Sequence, residues 1–446
     1  LTIQRRKSFD FHARRDALLR LKHAVLTRED AIIAALSADF GKHPAEVRLT
    51  EILPVYQEIT HMLRHLRRWM RPRRVMPGLT MFGTSAQVRP TPKGAALIIA
   101  PWNFPFNLAI GPLVSAMGAG CSAIIKPSEM TPATSALIAE MIGDIFDPDF
   151  VAVMQGGPDV ANALLAQPFD HIFFTGSPAV GKIVMAAAAK TLASVTLELG
   201  GKSPVIVGPD ANITRAAKWI AWGRFFNAGQ TCVAPDHVHV HADVHDEFVV
   251  ALRAQIAEMY AGNGALAKII NTRHWDRITG LIEDAKSKGA TVIGETDRAA
   301  RQIMATIVTG ATPDMEIMKE EIFGPVLPIL SYDDLDTLLG KINDAPHPLA
   351  LYVFGGKPLA DQVTAATTSG SVGVNLTILP FIHQNLPFGG IGNSGMGAAH
   401  GKHGFDAFSH MRPVLRNRFI PHPLIFPPYT ATVRKLVRFV LRFVRG

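Results

Sequence analysis

Residues Gly94 to Lys126 read GAALIIAPWNFPFNLAIGPLVSAMGAGCSAIIK, and no charged side chain appears until the final lysine. Length alone would admit a membrane span, for which about 20 apolar residues suffice. Pro101, Asn103, Pro105, Asn107, Gly111 and Pro112 break the run. Lipid would leave so irregular a backbone without hydrogen-bond partners. The stretch is therefore read as a buried strand over Ala95–Ala100, an irregular loop, a helix, and a second strand over Ser122–Lys126. This unit opens a rhythm. Short apolar runs recur at Phe150–Met154, His171–Phe174 and Val195–Leu199, with helical patterns at Pro132–Phe146 and Asp159–Ala166 between them. Strand and helix alternating at this spacing predict an α/β fold with a doubly wound parallel sheet, whose ligands bind at the carboxyl ends of the strands.

Working outward, Phe9 to Ser37 and Ile52 to Trp69 carry apolar residues at helical spacing, ended by Pro72 and Pro77-Gly78. Thr84 to Pro92 reads as a polar ribbon bounded by prolines. Beyond residue 232 a second alternation runs through Val249–Tyr260, Ile278–Ala285, Thr291–Gly294, Val326–Leu330 and Leu351–Phe354, predicting a second α/β domain. Pro387 to Gly397 is a glycine-rich loop, and Ile420 to Tyr429, with four prolines, is an extended connector.

Composition agrees with a large folded protein. At 446 residues, two or three domains are expected; 48% hydrophobic and 18% charged residues allow a substantial core. Two cysteines, Cys121 and Cys232, exclude a disulfide framework and a four-cysteine zinc site. With so few cysteines a reducing, cytoplasmic setting is expected; Leu1 to Lys7 leads into polar sequence without an apolar signal segment. The net charge of +8 gathers in Arg64, Arg67, Arg68, Arg71, Arg73 and Arg74, and in Arg434, Lys435, Arg438, Arg442 and Arg445. No recognition helix or aromatic platform accompanies either cluster. A solvated face or membrane-surface contact is expected rather than nucleic acid.

Chemistry concentrates at strand ends. Trp102-Asn103 follows the first strand and Lys126-Pro127-Ser128-Glu129 the second. Gly156-Gly157 follows the third and Thr175-Gly176-Ser177 the fourth. Glycines, hydroxyls and a lysine converging on one sheet edge suit a dinucleotide, although the G-x-G-x-x-G fingerprint is absent. Gly176 to Lys182 falls short of a phosphate-binding P-loop, because Ile183 stands where the magnesium-binding hydroxyl belongs. Glu198, ending the fifth run, is a carboxylate whose burial would raise its pKa and suit it to general-base work. Glu321, with Phe323 nearby, offers a second acid beside an aromatic. Cys232 follows the small, polar Phe226-Asn227-Ala228-Gly229-Gln230-Thr231, an approach suited to an exposed nucleophile. A lone cysteine is otherwise more often a small buried hydrophobe. His237, His239 and His241 alternate with valines; strand periodicity assigns them to a solvated outer face, and no metal is expected.

In this order the pieces resemble the aldehyde dehydrogenase superfamily from about Arg14 to about Arg416. The matching motifs include Pro101-Trp102-Asn103, Lys126 to Glu129, Phe174 to Ser177, Leu197 to Pro204, Gly229 to Cys232, Glu321 to Pro325 and Leu386 to Gly390. Thr231 to Asp236 and Gly392 to Gly397 look like the class 3 branch. Leu66 to Met70 and Phe146 to Asp149 look most similar to bacterial coniferyl aldehyde dehydrogenases.

The resemblance implies Cys232 as nucleophile, in its thiolate form, Glu198 as base, and the Asn103 amide with the Cys232 N–H as oxyanion donors. It implies NAD, with NADP as alternative, held by Trp102, Lys126, Ser128, Glu129, Gly157, Thr175, Gly176, Ser177, Gly181, Leu199, Gly200, Glu321 and Phe323. Phe104 stands where relatives often have tyrosine. With Phe106, Ile378 and Phe381 it suggests an apolar tunnel for aromatic or long-chain aldehydes. The implied layout is an NAD-binding domain (1–79 and 94–198), a catalytic domain (199–383) and a dimer-forming bridging element (80–93 and 384–420). A connector and basic helix follow (421–446). In that helix Val433, Leu436, Val437, Val440, Leu441 and Val444 form one stripe, which would rest on a membrane, the tunnel mouth or a partner subunit. Acyl transfer to coenzyme A and a non-catalytic nucleic-acid-binding protein on the same fold are the alternatives.

Overall fold

The computed structural model describes residues 9–78, 81–260, 266–419 and 426–444. Most of the proline-rich connector, Leu1 to Lys7, the Val444 side chain and Arg445 lie outside the described residues.

Helices Phe11–Thr27, Glu29–Phe40 and Leu53–Trp69 come first, and the last begins on a single π-helical stretch, Arg48–Ile52. Strands β1 (Arg73–Val75) and β2 (Thr84–Pro92) follow. Next come β3 (Ala95–Ile99), β4 (Ser122–Lys126), β5 (Val151–Val153), β6 (His171–Gly176) and β7 (Ser194–Leu199). The unit from Gly94 to Lys126 is strand, loop, helix Asn107–Ala119 and strand, as the prolines and glycines require. Helices Pro132–Ile145, Pro158–Leu165 and Pro178–Ala189 connect the later strands.

β8 (Pro204–Val207) and β9 (His237–His241) begin the second sheet. It is continued by β10 (Thr291–Ile293), with a small ribbon of β11 (Thr296–Asp297) and β12 (Gln302–Ile303) lying beside the sheet. β13 (Thr306–Thr309), β14 (Val326–Tyr332), β15 (Ala350–Phe354) and β16 (Ser371–Val374) complete it. Short β17 (Gly395–Met396) and long β18 (Ser409–Asn417) end the chain's strands.

The first sheet runs β17-β7-β6-β3-β4-β5, parallel except for β17. The chain proceeds from β3 to β5 on one side, then returns to place β6 on the other side of β3. Their carboxyl ends thus diverge at a topological switch point, where a crevice opens. The second sheet runs β10-β13-β14-β9-β8-β15-β16, with β10 alone antiparallel. The third, β1-β2-β18, is antiparallel and draws together residues more than 300 positions apart.

Two expectations differ from the structure. The 384–420 stretch contributes β18 to the ribbon, but its β17 completes the first sheet, with Gly395 paired to Glu198. Histidines 237 and 239 do not lie on an open outer face, whereas His241, at the strand end, stays partly exposed. β9 is central in its sheet, His237 is buried, and His237 and His239 line a cavity of about 950 Å³ with Tyr332 and Lys341. A central strand of a parallel sheet is covered on both faces, so alternation here separates core from cavity. Among the described residues no cluster of three or more metal-ligating side chains occurs, and no helix is long and apolar enough to cross a membrane.

Candidate active site

The loop carrying Cys232 leaves helix Ile213–Phe225, which is capped by Asn212 accepting from the Arg215 N–H at 3.0 Å. Asn227, Ala228 and Gly229 then take three successive left-handed conformations, with φ of 51°, 52° and 70°. Only glycine adopts this region freely, so the bend stores strain that its contacts must hold. Those contacts are extensive. The Asn227 amide donates to the Asn103 carbonyl at 2.9 Å. Gln230 Nε2 donates to the carbonyls of Asn227 and Lys268, and its Oε1 accepts from the Ile270 N–H. A side chain at Gly229 would strike the Gly324 carbonyl, so this loop and the one bearing Glu321 and Phe323 meet backbone to backbone.

Asn103, buried, donates from Nδ2 to the Gln230 carbonyl at 3.0 Å, which sets its amide beside the cysteine loop. Glu198 is buried on β7, and neither carboxylate oxygen has a hydrogen-bond partner. Burial raises its pKa well above the usual carboxylate value, the direction expected. The Cys232 thiol is pushed up to about 12, by burial first and then by Glu321 and Glu198. Burial thus disfavours the implied thiolate, and a base to take the proton is called for.

Cys232 and Glu198 line one apolar cavity of about 260 Å³. Phe104, Ile378 and Phe381 line it too, with Trp222, Phe226 and Phe388, which sequence reasoning missed. The Phe104 and Phe226 rings stack at 5.5 Å. Phe106 does not reach the cavity. It precedes helix Asn107–Ala119 and turns its fully buried ring into the core.

The crevice at the first sheet's carboxyl edge fits a dinucleotide. A Cβ at Gly176 would strike the Phe174 ring, one at Gly181 the Leu199 side chain, and one at Gly200 the Glu321 carboxylate. Ser177 caps helix Pro178–Ala189, accepting from the Val180 N–H at 3.4 Å; that helix N-terminus is suited to an anion. Gly157 caps helix Pro158–Leu165 with open space where a Cβ would stand. The Lys126 ammonium donates to Glu129 at 2.6 Å, leaving the Glu129 side chain 39% exposed. Thr175 Oγ1 is buried without a partner. Ser128 instead closes its own turn, accepting from the Met130 N–H at 3.2 Å. Trp102 meets Phe323 edge-on at 5.3 Å.

Two charged clusters brace these parts, and neither was singled out in the sequence. Lys42, fully buried, donates to Glu51 at 2.7 Å and to the Asn103 carbonyl at 3.2 Å, and its ammonium lies 4.2 Å from the Phe104 ring centre. Asp236 is buried, accepting from Lys202 and from the Ile322 N–H at 2.9 Å. Lys202 also donates to the carbonyls of Ile317 and Glu320, while Arg277 donates to the Glu321 and Ile322 carbonyls. The Glu321 loop is thus clamped from both sides. Burial raises Glu321 to about 8, with Asp236 adding to the shift.

Residues 3–414 match the Aldehyde dehydrogenase family. The chain is 40% identical over 436 residues to the 4,4'-diaponeurosporen-aldehyde dehydrogenase of Staphylococcus aureus, covering 96% of this chain and 95% of that one. It is 42% identical over 424 residues to a probable coniferyl aldehyde dehydrogenase of Pseudomonas aeruginosa, covering 94% and 89%. The solved structure of Staphylococcus aureus AldH in its substrate-bound state superimposes with a TM-score of 0.93 at 39% identity, covering 97% of this chain and 95% of that one. Sequence and backbone agree almost end to end with proteins of one kind: the chain belongs to the aldehyde dehydrogenase family.

Proposed function

We propose that this aldehyde dehydrogenase oxidises hydrophobic aldehydes, aromatic or medium-to-long-chain aliphatic, to carboxylic acids, with NAD as the acceptor and NADP the alternative. The observation that carries this is the apolar cavity bearing both Cys232 and the unpartnered Glu198 carboxylate. Walls of Phe104, Phe226, Ile378 and Phe381 exclude water and reward an apolar substrate. The names of two relatives, one for 4,4'-diaponeurosporen-aldehyde and one for coniferyl aldehyde, support the same substrate chemistry.

Cys232 Sγ attacks the carbonyl carbon as its proton passes to Glu198, which lines the same cavity and releases that proton to solvent before the second half of the reaction. The developing oxyanion accepts from Asn103 Nδ2, released from the Gln230 carbonyl, and from the Cys232 N–H. When bound, the nicotinamide cofactor accepts the hydride from the substrate carbon. That leaves an acyl thioester on Cys232. Glu198 then takes a proton from water, which adds to the thioester; its collapse releases the acid and returns the proton to sulfur. Lys126, Glu129, the Ser177 helix N-terminus and Gly181 would hold the adenosine and diphosphate end. Gly200, Glu321, Phe323 and Trp102 would hold the nicotinamide end. Glu129 favours NAD, because a carboxylate accepts from a free ribose hydroxyl and repels a phosphate there.

The β1-β2-β18 sheet presents Met411 and Leu415 on one face, both exposed, and that apolar face is the surface proposed to form a homodimer. The terminal helix Ala431–Val444 is proposed to rest on anionic membrane, in a cytoplasmic protein.

The experiment is NADH absorbance with coniferaldehyde and decanal. It should rise with both and fail to rise for Cys232→Ala. A wild type inactive on aromatic and aliphatic aldehydes alike would overturn the proposal.

A further inference from the structure

One wall of the tunnel is polar, and nothing in the oxidation uses it. Glu58, on helix Leu53–Trp69, and His400, just before helix Gly401–Ala407, both line the cavity that holds Cys232. They also line an adjoining pocket of about 20 Å³ that Cys232 and Glu198 do not reach. Glu58 is 4% exposed. Its Oε1 accepts from the Gly401 N–H at 2.8 Å, but its Oε2 is buried without a partner. His400 Nε2 is likewise buried and unpartnered. The closest approach of the two side chains, Nδ1 to Oε2, is 3.9 Å, too long for a hydrogen bond. Two orphaned polar atoms beside an apolar cavity are costly unless something else completes them.

Two rings pack on the imidazole. Phe381 meets His400 edge-on at 5.0 Å, and Phe388 lies tilted against it at 5.5 Å. His400 itself holds a φ of 67°, uncommon for a residue with a side chain. Burial brings Glu58 up to about 7 and His400 down to about 4, so near neutrality the ring is uncharged and carries one N–H. Glu58 Oε2 and His400 Nε2 are both left open, and a hydroxyl, which donates and accepts at once, can complete the two together.

We propose that Glu58 and His400 form a recognition niche selecting aldehydes with a hydroxyl at the end remote from the carbonyl. The inference rests on the aldehyde oxidation proposed above and narrows its substrate class. The test compares kcat/KM for 4-hydroxycinnamaldehyde, cinnamaldehyde and 4-methoxycinnamaldehyde. The hydroxy compound should exceed both others by about tenfold or more, since a site built to bond a hydroxyl discriminates against its absence. The methoxy compound, which accepts but cannot donate, should behave like the unsubstituted one. Glu58→Met and His400→Phe should each bring the ratio close to one. A wild type with no preference would overturn the proposal, and so would a methoxy compound matching the hydroxy one. If Glu58 only caps the following helix, its variant lowers all three aldehydes together and keeps the ratio, which overturns the niche as well. The wild-type comparison is decisive even if neither variant folds. Turnover of cinnamaldehyde without preference leaves the oxidation standing and removes only the niche; no turnover of any of the three overturns both.

Discussion

The carboxylate of Glu321 fills the space into which a side chain on Gly200 would project. β7 and the Glu321 loop, more than 100 residues apart in sequence, therefore meet where the nicotinamide end of the cofactor is proposed to lie. Gly200→Ala forces that carboxylate to move, and overpacking costs about 1–3 kcal/mol. NAD affinity should fall by about tenfold, measured by calorimetric titration. The cycle with Glu321→Ala is the sharper check, because the double variant should bind no worse than Glu321→Ala alone. Additive losses would mean that the contact does not couple the two positions.

Lys42 is the only cation within hydrogen-bond reach of Glu51 among the described residues. Lys42→Met strands that carboxylate in the core, which costs about 3–5 kcal/mol when one partner of a buried pair is removed. It also takes one of two donors from the Asn103 carbonyl, leaving Asn227, and removes the cation from the Phe104 ring, so kcat should fall with stability. Lys42→Met/Glu51→Gln should regain part of the loss, since glutamine can still accept from the Asn107 N–H, which Glu51 does at 2.9 Å. Urea denaturation of the three proteins checks this; a double variant no more stable than the single one would show that the stranded charge is not the cause.

What the sequence made legible and what it did not divide along a physical line. The strands β3 to β7 themselves follow from local alternation, and the glycines at their ends mark the carboxyl edge, so fold class and crevice are readable from neighbouring residues, whereas the order β7-β6-β3-β4-β5 is set by packing. Cys232, Glu198 and Asn103 are recognisable because their motifs occur in order. Lys42 and Glu51, nine residues apart with a proline between them, look like surface charges; only tertiary packing buries them beside Asn103. Asp236 is equally silent until Lys202 folds back over it. Phe106 reads as a tunnel residue because composition cannot give the phase of the helix that follows. The histidines of β9 read as solvent-facing because alternation separates two faces without telling what covers each.

Acidity changes should move activity and stability in opposite directions. The working forms, an ionised Glu198 and a deprotonated Cys232, are both disfavoured by burial. kcat should therefore rise from pH 6 to 9. For stability the sign is set by carboxyls whose folded pKa values stand above the ordinary 4.5, Glu58 at about 7 and Glu321 at about 8. The folded chain binds protons that the unfolded chain has lost, so stability is fullest below pH 4.5 as far as these groups act and declines as pH rises through 8. Asp236, lowered chiefly by Lys202 against its burial, acts oppositely, but only below its ordinary value of 3.8. Melting temperature should fall between pH 6 and 9, and less so in Glu198→Gln. A kcat flat across that range would contradict the assignment of the base.

The terminal helix Ala431–Val444 separates its chemistry by face. At 100° per residue Arg434, Lys435, Arg438 and Arg442 fall within one side of about 100°. Val433, Leu436, Val437, Val440 and Leu441 fall on the other, and no acidic residue interrupts the basic side. Val433 is buried, yet Val437, Val440 and Leu441 are exposed, as is Phe439. A helix with basic and apolar faces binds at the boundary between headgroups and acyl chains, and each cation near an anionic surface adds about 1 kcal/mol. The full chain should therefore sediment with vesicles containing phosphatidylserine. Binding should weaken as salt rises, because the charge attraction is screened. Removing residues after Thr430 should abolish sedimentation while decanal oxidation in vesicle-free buffer persists. Unchanged sedimentation of the truncated chain would sink the membrane assignment, whereas loss of activity without vesicles would place the helix against the tunnel or a partner subunit instead.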